Sequence, residues 1–169
     1  WGGGVSEAAE TGEGVGVVGI GAGRVGLACG GDRGREDGPL DRLQGVDLAV
    51  VINASPYARG KLGQRLDLSA ARGRAVGAPL AYVNLVGGQD DLVFDGASVL
   101  VGADGRLLAS APSFADEVLI ADVEGGHGSP VPGARVIAAA VPGPGTDLPP
   151  ASGISPDRPE LAVVWDALV

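Results

Sequence analysis

Two aliphatic runs flanking one helical stripe most constrain what this chain can become. Val46 to Asn53 and Leu80 to Val86 are nearly unbroken apolar runs, the pattern of strands covered on both faces. Between them, Lys61 to Val76 has helical spacing. Leu62, Leu66, Ser69, Ala70, Gly73 and Val76 share a stripe, with Arg65, Asp67, Arg72 and Arg74 outside it. Gly77 then supplies a C-cap, and Pro79 forbids continuation.

The flanks predict hairpins. Val15 to Ile20 and Arg24 to Ala28 are rich in β-formers around the tight turn Gly21-Ala22-Gly23. Val93 to Val101 and Arg106 to Ala111 pair around Asp104-Gly105. Val118 to Val123 reads as a last strand, and Pro39 to Gln44 as a short helix. The order hairpin, strand, helix, strand, hairpin, strand makes an α/β fold with mixed strand directions. Residues 1–14 read as a poorly ordered start, 15–123 as the folded domain and 124–159 as a Pro/Gly-rich linker. Residues 160–169 read as the beginning of a helix that belongs to something downstream. The chain begins with Trp1, contains no Met, and stops inside an apolar run without a helix stop signal, so both ends read as cut.

Composition excludes several classes. A net charge of −9 repels phosphate backbones, so no nucleic-acid partner is expected. No apolar run is long enough to span a membrane. A lone cysteine excludes an internal disulfide and fits a reducing cytoplasm. The one histidine, His127, sits in a Gly-Ser-Pro context far from Cys29, so no zinc site is expected.

Two glycine triplets, Gly14-Gly16-Gly19 and Gly21-Gly23-Gly26, match the dinucleotide-binding pattern literally. That mechanism needs a helix N-terminus aimed at the pyrophosphate directly afterwards. Here Gly30, Gly31 and Gly34 follow closely, and each interior glycine costs a helix about 1 kcal/mol. A hairpin turn is the stronger account.

Cys29 has two readings. A lone cysteine is most often a small buried hydrophobe. This one ends a predicted strand and precedes a glycine-rich loop, where a sulfur can face a cleft beside a free amide. The strand at 46–53 runs straight into Ser55-Pro56-Tyr57. Parallel neighbours would bring both strand ends to one sheet edge, where α/β sites form.

Three further pieces bear on that choice: Asp37-Gly38-Pro39, Asn53-Ala54-Ser55-Pro56-Tyr57, and Asn84-Leu-Val-Gly-Gly-Gln-Asp-Asp-Leu-Val-Phe-Asp-Gly ending at Gly96. In this order, with Cys29 upstream, they resemble the glutaminase domain of glutamine-dependent NAD synthetases, in the nitrilase superfamily of carbon–nitrogen hydrolases. The likeness runs from about residue 15 to 123 and resumes at Val164-Trp165-Asp166-Ala167-Leu168-Val169. It implies the C-terminal part of an αββα sandwich, incomplete at both ends, with uncovered sheet faces. It also implies that Cys29 is the nucleophile on the glutamine side-chain amide, with the Gly30 amide helping to hold the oxyanion. Ser55, Tyr57 and Arg59 match positions that bind the amino-acid end of glutamine. Without the resemblance, Ser55 reads as a helix cap and Arg59 as a surface residue.

The resemblance implies no cofactor or metal in this stretch. ATP and magnesium belong to the synthetase half, whose Ser-Gly-Gly-x-Asp-Ser loop is absent here. The expected partners are glutamine, an N-terminal half carrying the base Glu and the Lys, and the synthetase domain; the intact enzyme would be a cytoplasmic homo-oligomer. Gly30 and Gly31 stand where the family carries acids, and Lys61, the only lysine, matches no catalytic position. Two alternatives follow: a non-catalytic remnant or scaffold with the same fold, and a dinucleotide-binding module. Gln89, Asp90 and Asp91 read as loop-fixing residues, and Phe94 as core.

Overall fold

The computed structural model of the chain describes residues 16–20, 23–29, 40, 43, 45–124 and 150–169. In chain order the elements are β1 (Gly16–Ile20), β2 (Gly23–Cys29), β3 (Leu48–Asn53), α1 (Lys61–Val76), β4 (Leu80–Asn84), β5 (Val86–Gln89), β6 (Leu92–Asp95), β7 (Val99–Val101), β8 (Leu107–Ser110) and α2 (Glu160–Asp166). One sheet has the order β1-β2-β3-β4-β7-β8, and β5-β6 form a separate hairpin. β2, β3 and β4 are mutually parallel, while β1, β7 and β8 run antiparallel to their neighbours. This is the mixed α/β sheet expected.

The helix keeps the bounds read from its spacing. Gly77 closes it in the left-handed region, its N–H donating to the Gly73 carbonyl. α1 packs on β4 and β7, and Leu40 and Leu43 belong to the same buried cluster. Leu43, Ala49, Leu80, Val99 and Val101 are buried between these layers. Gly26 belongs to this packing. A Cβ there would lie 2.7 Å from Leu43 Cδ2, so the missing side chain is what admits Leu43. The dinucleotide reading fails at the same place. The described members of both glycine triplets lie in the antiparallel β1–β2 pair, and strand, not helix, continues from Gly26 to Cys29.

Other expectations need correction. Neither β3 nor β4 is covered on both faces: Ile52 is 53% exposed and Val83 45%. Among the described residues, α1, Leu40 and Leu43 lie on the face of Ala49, Leu80 and Tyr82, whereas residues 115–123 lie along part of the other. Val118 to Val123 forms no strand; it is tied to the chain at Ser152 instead, the Ile120 N–H donating to Ser152 Oγ at 3.0 Å. The run from 93 to 101 splits into β6 and β7, since Gly96 and Ala97 both take left-handed backbone angles. Of the stretch expected as a Pro/Gly-rich linker, 124–159, the described part includes Ser155, whose N–H donates to Ser110 Oγ at 2.9 Å. The turn residues 21–22, the short helix at 39–44 (apart from Leu40 and Leu43) and His127 lie outside the described residues.

Gly73→Ala tests the helix–sheet approach. Alanine gains about 1 kcal/mol of helix propensity. Its Cβ, however, would sit 2.9 Å from the Gly102 backbone oxygen and 3.2 Å from Val101 Cγ2. Overpacking against fixed backbone typically costs about 1–3 kcal/mol, so the expected net result is a lower melting midpoint. A higher midpoint would show that α1 can lift off the sheet freely.

Candidate functional site

The parallel strands β2, β3 and β4 end together. Cys29 pairs with Ile52, and Asn53 with Asn84, so one sheet edge collects the ends of all three. Cys29 is exposed, which removes the buried-hydrophobe reading. The register puts it on the same pleat side as Ile52 and Val83, the sparsely covered face. Asn53 and Asn84 lie one residue along, on the α1 side. A ligand touching both Cys29 and the Asn84 neighbourhood must therefore lie across the rim of the sheet.

Beyond β3 the chain enters the loop that carries Ser55. Ser55 is buried to 1% exposure, and its N–H donates to Asn84 Oδ1 at 2.9 Å. It does not cap α1, because the N-cap position is Gly60. Asn84 Nδ2 donates to the Gly96 carbonyl at 2.9 Å, and Arg65 Nη1 donates to the same oxygen at 2.9 Å. Arg65 also grips the Asp95 carboxylate with both terminal nitrogens, at 3.0 and 3.2 Å. Its guanidinium lies 5.5 Å from the centroid of the Tyr82 ring, and Tyr82 Oη accepts from Asn53 Nδ2 at 2.6 Å.

Sequence reasoning missed this cluster. Arg65 was expected on the outer face of α1 but is buried, while Leu62, expected inside, is 37% exposed. A carboxylate beneath the helix outweighs the apolar stripe. The available signal was Phe94-Asp95-Gly96 at the end of the longest motif: an aspartate beside a core phenylalanine needs a cationic partner. Phe94 is buried as expected.

Tyr57 and Arg59 diverge. The Tyr57 N–H donates to the Val93 carbonyl at 2.8 Å, and its ring meets Phe114 edge-on at 5.3 Å. Tyr57 also lines a cavity of about 300 Å³ together with Leu62, Asp95, Ser110, Glu160 and Val163. Arg59 points outward, with Nε donating to Glu160 Oε1 at 2.9 Å. This hydrogen bond and the paired charge hold the Glu160 carboxyl below the usual carboxylate range and raise Arg59. The lowered carboxyl sets the sign. The pair's contribution to docking α2 is complete above the ordinary carboxylate range and is lost as pH falls through the depressed value. Acidification should therefore loosen residues 150–169, followed by hydrogen exchange or Trp165 fluorescence. Glu160→Gln should remove that acid-dependent step. Both partners are exposed, so the effect is small and should fade with salt.

Gly30 lies outside the described residues. Lys61 Nζ donates to the Pro56 carbonyl at 2.7 Å and so braces the Ser55 loop. Gln89, Asp90 and Asp91 stand exposed at the tip of β5–β6, with Asp90 in the left-handed region that aspartate tolerates. Among the described residues no cluster of His, Cys, Asp and Glu could hold a metal ion, and no helix is long and apolar enough to cross a membrane. None of the described side chains hydrogen-bonds Cys29.

Comparison with known proteins gives one consistent result. The carbon–nitrogen hydrolase family model matches residues 5–128. The glutamine-dependent NAD(+) synthetase of Xylella fastidiosa (strain Temecula1) is 55% identical over 78 residues, 46% of this chain and 14% of that protein. The Xanthomonas campestris enzyme of the same name is 51% identical over 88 residues, 52% of this chain and 16% of its own length. The chain thus matches about one seventh of the length of these curated relatives. Among solved structures, the glutamine-dependent NAD+ synthetase of Acinetobacter baumannii, in complex with ADP, superposes with a TM-score of 0.57 at 32% identity. That match covers 63% of this chain and 20% of the other.

Proposed function

The chain belongs to the carbon–nitrogen hydrolase family, and from that premise we propose that it carries the glutamine-cleaving cysteine of a glutamine-dependent NAD synthetase. One observation supports the reading most. The only cysteine is open to solvent at the end of β2, on the sheet edge that also carries the Ser55 loop.

In this reading Cys29 Sγ attacks the side-chain amide carbon of glutamine. The tetrahedral intermediate collapses with cleavage of the C–N bond, and the nitrogen takes up a proton and leaves as ammonia. Water then adds to the thioester, the C–S bond breaks, and glutamate and the thiol are regenerated. The Gly30 amide would hold the oxyanion. Ser55 and Tyr57 would shape the far end of the pocket. Arg59 would take the glutamine carboxylate, in competition with Glu160. No described carboxylate or lysine reaches Cys29. The reading therefore assigns the base and the oxyanion lysine to parts of the protein outside the described residues.

ATP and magnesium would serve the synthetase step, in which the ammonia amidates nicotinic acid adenine dinucleotide. By the resemblance, those groups belong to the synthetase half rather than to this stretch. The site would work within a larger, homo-oligomeric, cytoplasmic enzyme.

The test is covalent capture. With one cysteine in the sequence, any thiol adduct reports on Cys29. A chloroketone analogue of glutamine should label it faster than chloroacetamide does, relative to free cysteine, and glutamine should protect. Labelling with no such preference and no protection would instead favour the non-catalytic scaffold.

A further inference from the structure

The longest recognisable stretch of this chain, Asn84 to Gly96, supplies no residue to the site proposed above. Its middle, Gln89 to Asp91, is exposed at a hairpin tip. Its two ends are buried and meet each other. Asn84 Nδ2 donates to the Gly96 carbonyl at 2.9 Å, and Arg65 binds both that carbonyl and Asp95. The remaining face of the Asn84 amide is turned to the loop after β3, where Oδ1 accepts the Ser55 N–H at 2.9 Å.

We infer that Asn84 is a positioning residue for Ser55, a role that rests on the glutamine reading above. Ser55 is 1% exposed, so its N–H needs a protein acceptor. Hydrophobic packing alone cannot supply one. An amide side chain presents an acceptor and a donor on one rigid plane, so it links Ser55 N–H to Gly96 O without torsional slack. The link closes on itself, because Arg65 sits on α1, the helix that the Ser55 loop leads into. The loop is therefore held at its start by Asn84 and at its end by α1, both anchored at Gly96. Tyr57 N–H on Val93 O and Lys61 on Pro56 O add further ties. The motif works as a clamp on the substrate loop rather than as a contact to substrate.

The experiment measures the Cys29 labelling ratio, glutamine chloroketone over chloroacetamide, in the full chain below its melting midpoint. The variants are Asn84→Ala, Asn84→Gln, Ser55→Ala and the Ser55→Ala/Asn84→Gln double. Asn84→Gln keeps donor and acceptor but displaces them by one methylene, so it remains informative if Asn84→Ala does not fold. The ratio should fall roughly fivefold to tenfold in each single variant, the scale of one misplaced hydrogen bond. The double should lose less than the product of the singles, because part of the Asn84 effect is carried by the Ser55 hydroxyl that Ser55→Ala removes. A merely structural Asn84 would lower the melting midpoint and leave the ratio alone. A folded Asn84 variant with the parent ratio, or a double whose loss is the product of the singles, overturns the inference while the glutamine reading stands. A parent chain with no preference at all removes both.

Discussion

Arg65→Met should lower the melting midpoint by roughly 6–20 °C, from a loss of about 3–5 kcal/mol and about 2–4 °C per kcal/mol in a chain of this size. The side chains of Arg65 and Asp95 are 3% and 5% exposed, so removing the cation leaves a carboxylate buried with no charge partner. It also takes one of the two side-chain donors from the Gly96 carbonyl and the cation from the Tyr82 ring. Desolvation of the orphaned carboxylate is the dominant cost, because the methionine recovers most of the packing. That account makes a second demand. Arg65→Met combined with Asp95→Leu should regain much of the loss, since apolar pairs of similar volume often replace buried ion pairs at little cost. Urea denaturation and calorimetry of the four proteins in the cycle give the answer. If Arg65→Met stays within about 0.5 kcal/mol of the parent, as an exposed pair would, Asp95 reaches water and the clamp is not closed.

That cluster also marks where the sequence stops being legible. Spacing alone gives α1 its bounds, Lys61–Val76, with Gly77 and Pro79 as the stop. The parallel edge that gathers Cys29, Asn53 and Asn84 follows from strand ends that precede glycine or Ser-Pro turns. Periodicity fails where a long-range partner decides. Arg65 turns inward for Asp95, thirty positions away. Val118 to Val123 has the composition of a strand, but its Ile120 is tied to Ser152, far along the chain. The split at Gly96 and Ala97 depends on backbone angles that an apolar run does not reveal. Arg59 is a third kind of case. The resemblance aims it at a carboxylate, and the structure gives it one from its own chain, Glu160. Which carboxylate that guanidinium holds depends on how residues 150–169 pack, and spacing along the chain does not reveal that packing.

The exposed face with Ile52, Val83 and Leu85 bears on how activity must be measured. Cys29 belongs to that face, so whatever covers it also closes over the sulfur. The appropriate assay is ammonia release from glutamine by the chain mixed with the N-terminal half of a related glutaminase domain. Cys29→Ala should then reduce release by at least ~10³-fold, since losing a nucleophile removes the covalent route altogether. Cys29→Ser should fare little better. Its hydroxyl is a far weaker acid than a thiol, and a base adequate for sulfur leaves oxygen protonated. Both variants should fold normally, because an exposed side chain at a strand end contributes little packing. Matched melting midpoints would confine the loss to chemistry. Equal ammonia release by parent and Cys29→Ala would show that the cleavage is performed elsewhere. The exposed sulfur at the end of β2 would then be a surface thiol on a scaffold.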